Sequence, residues 1–370
     1  MRIVSVVGTR PQLIKAAALW PSLRARHEEV FVDTGQHWDE PLAGAFFEEL
    51  GLPRPDHSLG VGGGTSAQQL GRMLPALADV LAAERPEAVL VYGDTNSTLA
   101  GALAASSLGI PVAHVEAGLR SFDRGMPEET NRVLTDHIAR WLFAPTPAGV
   151  ANLAAEGITD GVHHVGDVMQ DLAAHIAPTL RDRAVLQPIA DRLGVSLEPG
   201  RYLFATIHRA ENRVPAAVRA WTALLDSVAS EERPVVLALH PGTRAALSTA
   251  GVPLEPPVVV VEPQPYASTL ALQLHAAAVL TDSGGIQRES SWLRVPCLVL
   301  RMTTEWVEAV AGSGGSMVVI GVDGTAARAE LERLAPQDRA PALAAERAAS
   351  LEVAPAGAVD RIAAVLEAGE

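Results

Sequence analysis

The segment IVSVVGTRPQLIK, residues 3–15, decides the fold because it joins an apolar run to a helix through a short turn. Ile3–Val7 predicts a buried strand, Gly8-Thr9-Arg10 a turn, and Pro11 the first turn of a helix. A strand, a turn and a helix in this order form the repeating unit of a parallel sheet with crossover helices. The opening of the chain therefore predicts an α/β protein.

The same alternation of apolar runs and amphipathic stretches continues along all 370 residues, which predicts two doubly wound parallel-sheet domains. A helical, Pro-containing segment without a strand pattern, Asp167–Leu197, is expected to connect them. The predicted strands are Ile3–Gly8, Val30–Asp33, Ala88–Tyr92, Val112–Val115, Trp141–Ala144 and His163–Val165, then Tyr202–Thr206, Val235–Leu239, Val258–Val261, Ala278–Thr281, Cys297–Leu300 and Val318–Ile320.

Composition excludes several classes of partner. The net charge of −14 argues against nucleic acid and against an anionic membrane surface. The weakly apolar stretch Thr98–Val115 is broken by Pro111 and predicts a helix and a strand, not a membrane span. The one cysteine, Cys297, has no partner for a disulfide within the chain and is expected to be buried. With no secretory signal visible after Met1, we expect a cytoplasmic protein.

Lys15 is the only lysine among 29 basic residues. A retained lysine in an arginine-rich chain indicates a position where a compact ammonium is needed. Near the start of a helix, a cation is disfavoured by the helix dipole unless an anion lies beside it. Lys15 and Arg10 are therefore predicted to form half of a phosphate site. The alternative is that Lys15 was retained by chance on a solvent-exposed face of the helix.

Polar and glycine-containing segments follow the predicted strands in both halves of the chain. Ligands of open parallel sheets bind at the carboxyl ends of the strands, so we expect a site in a cleft between the two domains. The segments are Gly8-Thr9-Arg10, Thr34-Gly35-Gln36-His37, Gly93-Asp94-Thr95, Glu116-Ala117-Gly118-Leu119-Arg120, His208-Arg209, His240-Pro241-Gly242 and Asp282-Ser283-Gly284-Gly285.

The last of these segments has the pattern of an anion site. Ser283 can cap the helix predicted over Ile286–Leu293, and the two glycines allow a diphosphate to approach free backbone N–H groups. Glu289, one turn further on, can accept hydrogen bonds from ribose hydroxyls. An ordinary capped helix is the alternative. The glycine-rich segment Gly60–Thr65 follows no predicted strand and is expected to be a loop.

Three carboxylates are candidates for acid–base chemistry. Glu116 directly follows a buried strand at an edge that already holds Asp94, and carboxylates gathered in one cleft can be tuned as acid and base. Glu129 lies in the first turn of the helix that Pro127 begins, where an acid is also common for the dipole alone. His208 is expected to contact the ligand. No spacing typical of a zinc site is found, so no metal is expected.

Taken together, these segments resemble the non-hydrolysing UDP-N-acetylglucosamine 2-epimerases. The motifs occur in the family's order from residue 8 to about residue 310. They are Gly8-Thr9-Arg10-Pro11 with Lys15, Thr34-Gly35-Gln36-His37, Gly93-Asp94-Thr95, His114-Val115-Glu116-Ala117-Gly118-Leu119-Arg120, Pro127-Glu128-Glu129 with Asn131-Arg132, His208-Arg209, and Thr281-Asp282-Ser283-Gly284-Gly285-Ile286-Gln287 with Glu289.

The resemblance implies a GT-B architecture of two Rossmann-like domains around a cleft. Residues 1–167 and a final helix at about 355–370 would form the domain with the sugar and the catalytic carboxylates, and residues 168–354 the UDP-binding domain. The family interconverts UDP-N-acetylglucosamine and UDP-N-acetylmannosamine through 2-acetamidoglucal, without NAD or metal, to supply cell envelope polysaccharides. A homodimer without cofactor is implied.

Family positions assign roles to individual residues. The implied catalytic residues are Lys15, Asp94, Glu116, Glu129 and His208. The implied UDP- and substrate-binding residues are Arg10, Gln36, His37, Arg120, Arg132, Arg209, His240, Gln264, Tyr266, Asp282, Ser283, Gly284, Gly285 and Glu289. Trp306 replaces a family arginine, so epimerases of modified sugars such as UDP-2,3-diacetamido-glucuronic acid remain an alternative. A hydrolysing 2-epimerase, a GT-B glycosyltransferase and a binding module without catalysis are the others.

Overall fold

A computed structural model of the chain describes residues 1–36 and 50–369. The chain divides into two compact units. Unit 1 consists of Met1–Leu172 with Ala354–Glu370, and unit 2 consists of Ala173–Val353. Each unit is built around one parallel β-sheet, as the alternating sequence pattern predicts.

The sheet of unit 1 has seven described strands in the order β3-β2-β1-β4-β5-β6-β7, all parallel. The order reverses between β1 and β4, which makes the edge where these two strands end the topological switch point. The strands are β1 Arg2–Val7, β2 Glu28–Asp33, β3 His57–Ser58, β4 Ala88–Tyr92, β5 Val112–Val115, β6 Trp141–Ala144 and β7 Val162–His164.

Helices cover both faces of this sheet and bury its Val- and Leu-rich strands. The final helix packs on the first one and is capped by Asp171, whose carboxylate accepts hydrogen bonds from Gly357 N and Val359 N at 2.8 and 3.0 Å. The described helices are Arg10–Arg24, Ser66–Glu84, Asn96–Ser107, Pro127–Ile138, Pro147–Ala155, the beginning of Val168–Leu180, and Ala358–Ala368.

The sheet of unit 2 has six parallel strands in the order β10-β9-β8-β11-β12-β13, with the switch point between β8 and β11. The strands are β8 Leu203–Ile207, β9 Val235–Leu239, β10 Val258–Val261, β11 Ala278–Thr281, β12 Cys297–Val299 and β13 Met317–Val319. The α-helices are Leu186–Leu193, Pro215–Val228, Pro241–Ala250, Tyr266–His275, Gly284–Trp292, Val307–Gly312, Gly324–Leu334 and Ala340–Ala349, with 3-10 turns at Arg183–Val185 and Ala210–Arg213.

Six predicted strands have their expected bounds, and the other six differ by one or two residues at one end or at both ends. The two-residue strand β3 was not predicted, because a segment this short carries no alternation. Cys297 is fully buried, and burial raises the pKa of its thiol to about 12, as expected for a packing residue. Among the described helices, none combines the length and apolar character needed to cross a membrane.

Candidate active site

The switch point of unit 1 gathers a lysine and several carboxylates. Lys15 comes from helix Arg10–Arg24 and Glu116 directly follows β5, and Lys15 Nζ lies 2.8 Å from Glu116 Oε2. Gly93, after β4, has φ +64°, and a Cβ atom on it would lie 3.1 Å from Lys15 Nζ. The absence of a side chain at Gly93 therefore leaves the space in which the lysine reaches the glutamate.

The surroundings of Lys15 and Glu116 raise the pKa of both groups and so favour their protonated forms. Burial raises the pKa of Glu116, and the neighbouring Asp167 and Asp94 raise it further against the opposing effect of Lys15. Burial alone would lower the pKa of Lys15, but the three carboxylates outweigh it and the pKa is raised. One ammonium thus faces three acidic groups, and Glu116 takes up a proton more readily than an exposed glutamate.

Arg132 connects the other two predicted carboxylates. Its guanidinium contacts Asp94 and donates to Glu129 Oε2 at 3.0 Å. Glu129 also accepts hydrogen bonds from Ser121 N, Ser121 Oγ and Phe122 N at 2.9, 2.7 and 3.0 Å. Although burial opposes it, these partners hold the pKa of Glu129 below its usual range. Glu129 is therefore an ionised anchor for the turn at residues 121–122.

Arg120, which the family resemblance assigns to substrate binding, lies in an internal network. Its guanidinium donates to both carboxylate oxygens of Glu156 at 2.7 and 2.8 Å and lies 2.7 Å from Asp136 Oδ2. The side chain is fully buried. These contacts indicate a structural role for Arg120, whose side chain joins Glu156 to Asp136.

The remaining candidates of unit 1 are placed as follows. Gln36 is buried and accepts hydrogen bonds from Ser97 N and Ser97 Oγ at 2.9 and 2.7 Å, so it joins the segment after β2 to the start of helix Asn96–Ser107. Arg10 is the partly buried first residue of its helix. His37 falls outside the part of the chain that the structure describes.

In unit 2, Asp282 organises the turn that follows β8. Its buried carboxylate accepts hydrogen bonds from the backbone N–H groups of His208 and Arg209 at 3.0 and 2.9 Å, and from Asn212 Nδ2 at 2.9 Å. His208 Nδ1 lies 3.2 Å away. Burial opposes ionisation, but these partners lower the pKa of Asp282 to about 2. The His208 ring that Asp282 holds remains 37% exposed and accessible to a ligand.

The two glycines at the start of helix Gly284–Trp292 differ in their surroundings. Ser283 Oγ accepts from Ile286 N at 3.4 Å, which confirms the predicted cap. A Cβ on Gly284 would lie 2.6 Å from Glu305 Oε1 and 2.9 Å from Trp306 Nε1, whereas one on Gly285 would be 3.9 Å from its nearest neighbour, Ser283 Oγ. Gly284 thus serves internal packing, and Gly285 is the glycine that leaves room for a ligand.

Five further candidates lie in unit 2. Glu289 is buried and accepts from Gln273 Nε2 at 2.5 Å. Gln264 accepts from Arg192 Nη2 at 2.9 Å. His240 Nδ1 caps helix Pro241–Ala250 by accepting from Gly242 N at 3.2 Å, and its ring centroid lies 6.3 Å from that of His208. Tyr266 is buried at the start of its helix, and Arg209 Nη2 lies 3.2 Å from Glu305.

Sequence reasoning missed two residues of the unit 1 site. Asp167 acts on both members of the Lys15–Glu116 pair. Gln12 accepts from Gly8 N and donates to Tyr92 O, both at 2.9 Å, and so fixes the ends of β1 and β4 together. Neither position carries a motif, since a single amide or carboxylate at a helix start has many ordinary roles. Among residues 1–36 and 50–369, no cluster of three or more metal-ligating side chains is found.

The two doubly wound sheets, with ligand-type side chains after their strands, define an α/β enzyme of the GT-B class. The family model described as UDP-N-acetylglucosamine 2-epimerase matches residues 22–367. The chain belongs to this family and is an isomerase acting on carbohydrate derivatives.

Individual relatives agree with this assignment. The UDP-2,3-diacetamido-2,3-dideoxy-D-glucuronate 2-epimerase of Pseudomonas aeruginosa is 43% identical over 327 residues, 87% of this chain and 88% of the relative. The crystal structure of Methanocaldococcus jannaschii UDP-GlcNAc 2-epimerase in complex with UDP-GlcNAc and UDP superposes with a TM-score of 0.84 at 34% identity, covering 100% of both chains. The Neisseria meningitidis enzyme bound to UDP-GlcNAc gives 0.85 at 28% identity over 99% of both.

Proposed function

We propose that this protein interconverts UDP-N-acetylglucosamine and UDP-N-acetylmannosamine by eliminating UDP to give 2-acetamidoglucal and adding it back. The observation that carries the proposal is the buried Lys15–Glu116 pair, with Asp94 and Asp167 around it, at the switch point of unit 1. A site with more carboxylates than cations suits a reaction that removes a proton from one face of a sugar and returns one to the other.

The chemistry explains why both charge types are needed. The C2 proton of the substrate is not next to a carbonyl, so departure of the diphosphate must precede its removal. We assign stabilisation of the leaving UDP to Arg10, His208 and the backbone N–H groups at Ser283–Gly285, where each well-placed donor is worth about 3–4 kcal/mol. In this proposal unit 1 supplies the sugar chemistry and unit 2 the nucleotide contacts.

Among the carboxylates, Glu116 suits the proton acceptor best. It is nearly buried, its pKa is raised, and Lys15 Nζ at 2.8 Å can stabilise its ionised form. Glu129 accepts from Arg132 and three donors in the turn, so we assign it to positioning. Asp94, which contacts Arg132 and is 25% exposed, is the second acid–base candidate.

A second substrate is favoured by one specific finding. The Pseudomonas aeruginosa relative at 43% identity is named as an epimerase of UDP-2,3-diacetamido-2,3-dideoxy-D-glucuronate. By the family resemblance, Trp306 replaces an arginine, and in this chain Arg288 lies over the Trp306 ring at 4.6 Å from the centroid. A modified UDP-sugar with a carboxylate is therefore the alternative substrate.

The proposal further includes a homodimer, which the family resemblance implies. It also includes a cytoplasmic location, which agrees with a single buried cysteine.

The test is incubation with each UDP-sugar in heavy water, followed by NMR of the sugar protons. Deuterium at C2 together with the C2 epimer supports the proposal and identifies the substrate. Free UDP with free N-acetylmannosamine would instead indicate a hydrolysing enzyme. Absence of C2 exchange with both substrates would refute epimerisation. Glu116→Gln should abolish exchange, whereas the exposed Glu367→Gln should not, and light scattering would determine the oligomeric state.

A further inference from the structure

A fully buried pair in unit 1, His114 and Asp136, bonds the turn after β4 at Gly93 and the turn after β5 at Gly118. We propose that the His114 ring donates from both nitrogens as an imidazolium in the folded protein and that, with Asp136, it positions Asp94 and Glu116 relative to each other. The consequence for catalysis rests on the proposed function, but the charge and the positioning can be tested without it.

The hydrogen bonds of His114 require a proton on each ring nitrogen. His114 Nε2 lies 2.7 Å from the carbonyl oxygen of Gly93, and Nδ1 lies 2.7 Å from Asp136 Oδ1. A carbonyl oxygen only accepts. Asp136 is ionised, since it also accepts from Gly118 N at 3.1 Å and pairs with Arg120 at 2.7 Å. With acceptors on both sides, the ring donates twice and carries a positive charge.

The pair joins the two turns that carry the acidic residues. Gly93, whose carbonyl accepts from His114, directly precedes Asp94, and Gly118, whose N–H donates to Asp136, lies two residues after Glu116. Gly93, Glu116 and Gly118 all have left-handed backbones, with φ of +64°, +78° and +81°. This conformation is strained for Glu116, because it has a side chain and the two glycines do not. Hydrogen bonds on both sides of it keep the turn in this form.

The positive charge of the His114 ring is balanced by the charged side chains around it. His114 and Arg120 are balanced by the buried Asp136 and the partly exposed Glu156, so these four groups carry no net charge together. A charged donor also binds the Gly93 carbonyl more strongly than a neutral one would. A neutral amide in place of the ring cannot supply the same pair of charged hydrogen bonds. The two residues are therefore positioning residues that need not touch the substrate.

The only lysine of the chain provides a direct probe of this arrangement. Protein labelled with 15N-lysine gives one side-chain ammonium resonance, that of Lys15, which lies against Glu116 and Gly93. Labelling with 15N-histidine reports the protonation of the His114 ring. His275→Gln is the matched control, because His275 is also buried and bonds one carbonyl, Leu180 O at 2.9 Å, but lies in unit 2.

In the wild-type protein at pH 8, both ring nitrogens of His114 should carry a proton. His114→Gln should shift the Lys15 resonance and lower kcat at least about tenfold with little change in KM, because small displacements of reacting groups are costly. His275→Gln should change neither. If His114→Gln does not fold, Asp136→Asn provides the same two readouts and should remove the charge from His114.

An unprotonated ring nitrogen in the wild-type protein would overturn the proposal. So would a Lys15 resonance that stays unchanged in both variants, or a kcat loss no larger than that of His275→Gln. If the wild-type protein shows no C2 exchange, the proposed function fails, while the histidine and lysine resonances still decide whether the pair is charged and positions the site.

Discussion

Lys15 Nζ and Glu116 Oε2 lie 2.8 Å apart, and both side chains are less than 15% exposed. The pair joins the first helix of the chain to the end of β5, across the strand end at Gly93. An ion pair this well buried is stabilising only if its geometry is maintained, because each charge has lost most of its hydration. We therefore expect the spacing of these two groups to be sensitive to substitution.

Lys15→Arg should lower kcat by about a hundredfold, because the longer planar guanidinium cannot occupy the space of an ammonium beside Gly93. Steady-state kinetics with the UDP-sugar that shows C2 exchange would measure the effect. The control is Arg26→Lys, the reverse exchange at an exposed residue of the same unit. Similar turnover in wild-type and Lys15→Arg protein would show that the ammonium is not required.

Gly93→Ala should abolish most of the activity, whereas Gly109→Ala should not. Both glycines have left-handed backbones, with φ of +64° and +69°, so each alanine should reduce the free energy of unfolding by about 1–2 kcal/mol. A Cβ atom at Gly93 would lie 3.1 Å from Lys15 Nζ, but one at Gly109 would meet nothing within 4 Å. Urea unfolding and C2 exchange rates, measured on both variants, separate backbone strain from crowding. Equal activity in the two would contradict this reasoning.

The rate of C2 exchange should fall on acidification at a higher pH than an ordinary glutamate would require. Burial, Asp167 and Asp94 raise the pKa of Glu116, and a general base must be ionised to accept a proton. Exchange should therefore be lost as the pH falls through this raised pKa. A pH–rate profile in heavy-water buffers measures it. A profile that stays flat down to the normal range of glutamate would assign the proton transfer to another group.

Asp282→Asn should destabilise unit 2 at neutral pH but not at low pH. The folded pKa of Asp282 is about 2 and its ordinary value is 3.8, so its ionisation contributes about 2 kcal/mol above pH 4. Because the folded pKa is the lower one, this contribution is lost as the pH falls from about 4 to about 2. Urea unfolding at several pH values would measure the difference from wild type. Asp338→Asn, at an exposed residue of unit 2, is the control and should show no such dependence.

The sequence predicted where ligand-type residues lie more reliably than what they contact. Strand ends are local features, and the segments at Gly93-Asp94, Glu116 and Asp282-Ser283 all follow strands in the structure. Hydrogen-bond partners depend on tertiary packing, which no local pattern encodes. The hydrogen bonds from the His208 turn to the Asp282 carboxylate were not predicted, and a ligand contact of Asp282 stays a prediction.

The pairing of His114 with Asp136 shows the same limit. The two residues are 22 positions apart, one on a strand and one on a helix, and their side chains meet only because that helix packs against the sheet. Arg120 appears in a motif beside Glu116, yet it points to the same buried acid as His114 does. A sequence motif therefore indicates which segment lies near a site, but the tertiary structure decides which side chains of that segment face the site and which are buried in the protein.

Helix Ala358–Ala368 packs on helix Arg10–Arg24, although about 330 residues separate them along the chain. Because helix Arg10–Arg24 is synthesised well before helix Ala358–Ala368, the apolar surface that the later helix covers stays exposed until that helix has been made. Unit 2, which is continuous, can complete its core earlier. The unit that carries Lys15 and Glu116 is begun before unit 2 and completed after it, so a ribosome that stops before Ala358 releases a chain in which unit 1 is unfinished.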